Sequence, residues 1–361
     1  MFIFLLAFAA VCLWQVQLKP AGNDRYITDY MSVDKTMAIK GIFIIVVFFS
    51  HFNTYVDFTS GADLLYLDCY SKIGQRMVTL FMFYSGFGVM EAIKKKKMTY
   101  VHKIPVTRVL GTYFRFDIAI ILFLLLKIII NGGALGTTPN RVFLALFGWE
   151  SIGNSNWYIF AIVVCYILTF VAFEVFRDKL KYYPSAILLT VLLFAYVVIM
   201  RYCDLHPDRF YNTVLCYALG VYFSLLKDKF DKLFGNNKLL WLAAFLVTAV
   251  LTVIAQFKID RFYAYEIAMF SFTFAVVLFT MRISLNNKIL RWCGKHLFSI
   301  YILQRIPMIA FDRLGIAKWN IYVYFILCLG ATVIMAYFFE KYVGALWKYI
   351  TSPRETKAIK E

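Results

Sequence analysis

A lysine and a histidine within one apolar run set the chemical question. Residues 38–53 read AIKGIFIIVVFFSHFN, with Lys40 near one end and His51 near the other. Ionisable side chains inside apolar helices are costly and mark functional sites by default. Eleven helical residues make about three turns, so both side chains fall on one stripe, about 16 Å apart along the axis. A neutral imidazole accepts a proton from a hydroxyl at ordinary pH. An ammonium at the mouth of the same stripe attracts an anion. Taken singly, Lys40 reads as a snorkelling anchor and His51 as an interhelical hydrogen-bonding residue. The shared face is what favours a joint role.

The elements that carry this stripe belong to a membrane protein. The chain has 361 residues, 62% hydrophobic and 16% charged, with a mean hydropathy of +0.70. A soluble domain is closer to half apolar and a quarter charged. Its 19% aromatic content suits rings placed at lipid headgroups. The net charge of +17 does not argue for nucleic acid, because the cations sit in short clusters between apolar runs. Seven cysteines are scattered and odd in number, without a C-x-x-C pair, so neither a disulfide framework nor a zinc site is expected. The start, MFIFLLAFAAVCLWQVQLKP, lacks the basic flank and small-residue cleavage site of a signal peptide and reads as a retained helix.

Eleven segments suit a membrane span of about 20 apolar residues: about 2–18, 38–56, 77–93, 109–130, 155–176, 184–201, 211–226, 239–257, 263–281, 297–312 and 320–342. The loops on one side hold 25 Lys and Arg and those on the other hold 10. By the positive-inside rule the N-terminus lies outside and the C-terminus in the cytoplasm. The expected fold is therefore an all-α polytopic bundle of about eleven transmembrane helices. No soluble domain is hidden, since the longest intervening stretches are about twenty residues. Lys40 then sits at the cytoplasmic mouth and His51 towards the outer side. Other ionisable groups fall within spans. Lys127, Glu174 and Glu340 lie near span ends and read as snorkelling groups, and Glu266 lies where water would reach it. Arg115 and Asp117, two residues apart, point to different faces and are not an intrahelical pair.

Several segments together resemble the acyltransferase-3 family of integral-membrane acyltransferases, which includes bacterial polysaccharide O-acetyltransferases. Lys40-x10-His51 is similar to its basic-x10-His element, and LFMFYSGFGVMEA (80–92) to its aromatic Ser-Gly segment. KIPVTRVLGTYFRF (103–116), NSNWYIFAIVVCYIL (154–168), CGKHLFSIYILQRIPM (293–308) and FFEKY (338–342) follow in the family's order. The likeness covers about residues 30–345. This chain departs from the pattern in carrying Lys40 where Arg is commoner, Gly111 where a second Arg is usual, and Gln304 at the late His position. The resemblance implies a ten-helix core, an extra N-terminal helix within 1–20, and a basic cytoplasmic tail over 346–361.

What the resemblance implies chemically is transfer of an acyl group, acetyl by analogy, from cytoplasmic acyl-CoA to a hydroxyl of a cell-surface or lipid-linked glycan, in a bacterial plasma membrane. No permanently bound cofactor or metal is implied; acyl-CoA is a co-substrate. Lys40, Lys103 and Arg108 would meet its phosphates, with the 94–97 run of four lysines as an anchor to anionic lipid. His51 would be the general base. Glu150 would orient or pair with it, and Tyr84, Ser85, Asn156 and Trp157 would contact the substrates. Asn154 or Ser155 reads equally well as a helix N-cap, and Ser85–Gly86 as a small-residue helix contact. A transporter of an acylated or anionic metabolite is the alternative reading. It would also place His and Lys in a membrane cavity, but no paired broken helices in repeated halves are evident. Neither the acceptor nor the oligomeric state is readable from the sequence.

Overall fold

The computed structural model describes residues 1–18, 26–58, 61–71, 74–285 and 287–352. The described chain is almost entirely helical. Its first half holds α1 (Phe2–Leu13), α2 (Val33–Phe52), α3 (Gly61–Ser71), α4 (Gly74–Lys96), α5 (Met98–Val101), α6 (Gly111–Ile130), α7 (Pro139–Leu146) and α8 (Trp157–Glu174). The second half holds α9 (Tyr182–Tyr202), α10 (Leu215–Phe230), α11 (Lys238–Gln256), α12 (Phe262–Thr280), α13 (Lys288–Lys295), α14 (Leu297–Leu303), α15 (Arg305–Arg313), α16 (Ile316–Trp319) and α17 (Ile321–Thr351). Two three-residue strands, β1 (Val16–Leu18) and β2 (Ile283–Leu285), pair antiparallel with Val16 opposite Leu285.

Each of the eleven apolar segments is met by a helix. Among the described residues, six helices are long and apolar enough to cross a membrane: Arg76–Lys96, Trp157–Glu174, Tyr182–Tyr202, Lys238–Gln256, Phe262–Thr280 and Ile321–Thr351. Apolar side chains that a water-soluble protein would hide stand exposed on their outer faces, among them Ile187, Phe194, Leu239, Val253 and Ile326. In α11 only 11% of the apolar window is buried. Such a surface belongs in lipid, where a helix satisfies its own backbone hydrogen bonds. The chain is a multi-pass membrane protein.

Three expectations change. The first helix stops at Leu13 rather than running to 18, because Trp14 is extended and Gln15 adopts a left-handed φ of 61°. The chain then pairs with β2 as β1. The segment 297–312 is broken at Gln304 into α14 and α15. The last helix continues through Thr351, so the start of the expected tail is helical; residues 353–361 lie outside the described residues.

Helix starts follow side-chain chemistry. Ser32, Asn237 and Asn320 each precede a long helix and accept from a first-turn amide, at 3.3 Å, 3.0 Å and 2.9 Å respectively. These oxygens satisfy donors that have no partner within the helix.

Glycines set the closest helix contacts. A Cβ on Gly86 of α4 would lie 2.0 Å from the Tyr217 carbonyl oxygen of α10, and one on Gly220 of α10 would lie 2.1 Å from the Phe83 oxygen of α4. The two helices therefore touch backbone to backbone in both directions. A second pair locks α2 to α13: a Cβ on Gly41 would meet the Leu290 oxygen at 1.9 Å, and one on Gly294 the Met37 oxygen at 1.9 Å. Small residues allow this approach where packing rather than water release drives association. The Gly86 contact is the small-residue packing expected beside Ser85.

Gly86→Ala and Gly220→Ala are each expected to destabilise the bundle by about 1–3 kcal/mol through overpacking. Gly88→Ala serves as the control, because nothing lies within 4 Å of its added carbon. Thermal midpoints in one detergent decide this: a drop for the first two variants and none for the third.

Candidate functional site

Helix α2 carries the stripe intact. It runs from Val33 to Phe52 without a break, so Lys40 and His51 keep the shared face that their spacing predicts. Both side chains are half-buried, inside a helix that buries Phe43, Ile44, Val47 and Phe48 among others. Each of the two polar residues meets partners from other helices.

At the Lys40 end, the ammonium lies over the Tyr84 ring of α4, 5.3 Å from its centroid. Arg108 is its charged neighbour. Arg108 sits on a π-helical turn, Pro105–Leu110, that leads into α6. Its Nε donates to the Tyr100 hydroxyl at 2.9 Å, and its guanidinium faces the Tyr100 and Tyr166 rings at 5.9 and 6.0 Å. Lys103 stands exposed just before that turn. Two cations held on aromatic faces, with their remaining donors free, form a site suited to an anionic headgroup.

At the other end, Ser155 Oγ lies 3.4 Å from His51 Nε2. The loop before α8 places it. Gly148 and Gly153 take left-handed φ values of 71° and 113°, which glycine adopts without a Cβ clash. Asn154 Oδ1 accepts from the Ile152 amide at 2.9 Å, and Ser151 Oγ donates to the Asn154 carbonyl at 2.8 Å. The N-cap of α8 is Asn156, neither Asn154 nor Ser155. Its side chain does not cap the helix but donates to the Gly148 and Trp149 carbonyls at 2.9 and 3.3 Å. Trp157 is half-buried at the start of α8, its ring centroid 6.4 Å from that of Tyr158.

Three corrections concern carboxylates. Glu150 is not brought to His51: its carboxylate faces Arg141 at 3.9 Å, because the turn at Gly148 directs it to that side of the loop. The charged groups whose fields reach the imidazole are Arg305 and Arg209. Arg305 is held by Tyr55, its Nε donating to the phenol oxygen at 2.9 Å. Glu340 is not a snorkelling group. It accepts from Ser299 Oγ at 2.9 Å and faces Arg115 at 3.9 Å, so it ties α17 to α14 and α6. Glu266, read as accessible to water, is buried with neither carboxylate oxygen partnered.

A file of tyrosines joins the two ends. The Tyr166 ring faces Arg108, and the hydroxyls of Tyr166 and Tyr158, both on α8, converge on Ser85 in the middle of α4. Tyr158 meets Tyr301 edge to face at 5.4 Å, and Tyr301 meets His51 at 6.3 Å. Sequence reasoning passed over Tyr158, Tyr166, Tyr301 and Arg305. The available signal was the eight-residue spacing of Tyr158 and Tyr166, which puts two hydroxyls on one face of an otherwise apolar helix.

A cavity of about 790 Å³ opens between the loop after α9 and the start of α12. Arg201, Asp204, Asp208, Arg209, Asp260 and Phe262 line it. Arg209 therefore both borders this cavity and acts on the imidazole. In the loop, His206 is sandwiched between Trp149 at 4.0 Å and Phe210 at 4.2 Å. Its loss of solvation there, partly opposed by Glu150, pushes its basicity below that of an ordinary histidine.

The acyltransferase-3 family profile, described as an acyltransferase domain, matches residues 37–340. No curated protein and no solved structure shows a significant match to the chain.

Ser155→Ala is expected to move the His51 ring nitrogen resonances in histidine-labelled protein, and Glu150→Gln is expected to leave them in place. The reverse pattern would return Glu150 to the imidazole.

Proposed function

Because the chain belongs to the acyltransferase-3 family and is a membrane acyltransferase, we propose that it moves an acyl group, acetyl by preference, from cytoplasmic acyl-CoA to a hydroxyl of a glycan on the outer side. The observation that carries this reading is the continuous polar file from Lys40 and Arg108 to His51 and Ser155 through the core of the bundle.

The orientation is that of the lysine-rich connections facing the cytoplasm. Acyl-CoA then arrives at the Lys40 end. Its phosphates pair with Lys40 and Arg108, with Lys103 adding charge at the mouth. The slender pantetheine arm follows Tyr84, Ser85 and Tyr166 towards His51. The acceptor enters from the opposite end by way of the cavity beside Arg209, whose mix of carboxylates, guanidinium groups and aromatic rings suits a hydroxyl-rich molecule. Asn156 shapes the loop that presents Ser155, and Trp157 stands at the outer mouth.

His51 acts as general base. Ser155 fixes the ring through one nitrogen, and the imidazole takes the acceptor's proton as the acceptor oxygen attacks the thioester carbon. The contact of 3.4 Å is long for a hydrogen bond and tightens with substrates in place, as catalytic contacts do. Glu150 has no part at the imidazole in this scheme.

His51→Ala is expected to lower transfer from labelled acetyl-CoA by about 10²–10⁴-fold while membrane insertion and thermal midpoint stay unchanged. Retained transfer would exclude the base role, and flux of an acylated metabolite without covalent transfer would favour a carrier. Lys40→Met and Arg108→Gln are each expected to raise KM for acetyl-CoA about 10-fold or more, the loss of one charge-assisted contact, with a smaller change in kcat. Steady-state kinetics with acetyl-CoA varied at fixed acceptor reads both.

A further inference from the structure

Tyr301 is 2% exposed, on α14, with its ring edge to face against His51. Its hydroxyl is buried without a hydrogen-bond partner among the described residues, and the Tyr158 amide, in the first turn of α8, is directed towards its oxygen, so its proton has no acceptor there. Leaving such a group unpaired is unfavourable, so it marks a place where a ligand atom belongs. The helix end it faces is also open. Asn156, at the N-cap of α8, turns its side chain back to the Gly148 and Trp149 carbonyls; its own carbonyl takes the Ile159 amide at 2.9 Å, which leaves the Trp157 and Tyr158 amides with no side-chain cap. A helix of 18 residues presents partial positive charge at that terminus. The residue immediately before the cap is Ser155, which reaches His51. A phenol O–H, the Trp157 and Tyr158 amides of α8 and the imidazole thus lie together at this end of the bundle.

We propose that the Tyr301 hydroxyl, with the Trp157 and Tyr158 amides of α8, binds the carbonyl oxygen of the acyl thioester and stabilises the oxyanion formed during transfer. The assignment rests on His51 as the base. The acceptor oxygen bonds to the carbonyl carbon while its proton passes to His51. The C=O π pair moves onto oxygen, where Tyr301 and the amides donate to it. Collapse restores the C=O bond, breaks the C–S bond, and releases the CoA thiolate, which takes the proton back from His51. Donors already aimed at the developing charge need no reorganisation in the transition state.

The test uses the full chain in nanodiscs with acetyl-CoA, with N-acetylglucosamine and water as acceptors, read as thiol release. Tyr301→Phe keeps the ring and removes an unpaired hydroxyl, so its thermal midpoint is expected to match or exceed the wild type. Its kcat is expected to fall about 10²–10³-fold, with KM for acetyl-CoA changed less than about 3-fold. A second readout does not need turnover. In His51→Ala protein, the infrared stretch of ¹³C-carbonyl acetyl-CoA is expected at lower frequency than in water. Adding Tyr301→Phe is expected to return it towards the free value. Unchanged kcat or an unmoved carbonyl band in Tyr301→Phe would overturn the assignment while leaving the base reading standing if His51→Ala is inactive. Full activity of His51→Ala, or no binding of acetyl-CoA by the wild type, would overturn both. A fallen thermal midpoint with an unshifted band would make Tyr301 a structural residue and equally overturn the proposal.

Discussion

The backbone contact between α2 and α13 is the constraint on which the rest of the site depends. Gly41 and Gly294 let the two helices meet with carbonyl oxygens where side chains would otherwise stand. No rotation of α2 about its own axis is compatible with that contact. Since Gly41 follows Lys40 directly, fixing one fixes the direction of the other, and the helical period then fixes His51 three turns away. α13 suits its task. It is a short amphipathic helix that buries Leu290 and Cys293 against α2 and leaves Lys288 and Lys295 exposed at its two ends. Its start is secured by Asn287, whose side-chain oxygen accepts from the Ile289 amide at 2.8 Å.

A second backbone contact, between α4 and α10, serves the other wall of the polar file. Gly86 follows Ser85 as Gly41 follows Lys40. Seating Gly86 on the Tyr217 carbonyl orients Ser85 towards α8, where the hydroxyls of Tyr158 and Tyr166 meet it. Tyr217 itself is anchored through its own hydroxyl to Thr169 of α8 at 2.9 Å. In lipid, interhelical polar contacts of this kind each add modestly to stability. Their larger effect here is register: they hold a row of polar groups in line through a region where each one alone would be unfavourable. Arg115, Glu340 and Ser299 do the same for α6, α14 and α17.

Much of this was legible in the sequence. Length and composition place helices at the apolar segments, since a helix is the economical way to satisfy a backbone in lipid. The Lys40–His51 stripe is a consequence of helical period alone. The ordered segments over 30–345 pointed to the family whose profile matches residues 37–340. What failed did so for local physical reasons. Hydropathy cannot see that Gln15 turns the backbone left-handed or that Gln304 interrupts a span, because neither changes the apolar average. Glu150 was expected to orient or pair with His51, and the turn at Gly148 sends it to Arg141 instead.

The sequence by itself determined the membrane character, the helical segments, the face shared by Lys40 and His51, and the chemistry those residue types permit, because all of these follow from composition and a fixed helical period. Only the tertiary structure decided that Ser155 rather than Glu150 meets the imidazole, that Arg108 stands beside Lys40, and that Tyr158, Tyr166 and Tyr301 close the distance between the two ends. Those contacts join α2 to residues that are between 68 and 261 positions away from Lys40. They depend on which helix faces which, and that is set by where glycine lets two backbones touch, a property no single helix carries in its own pattern.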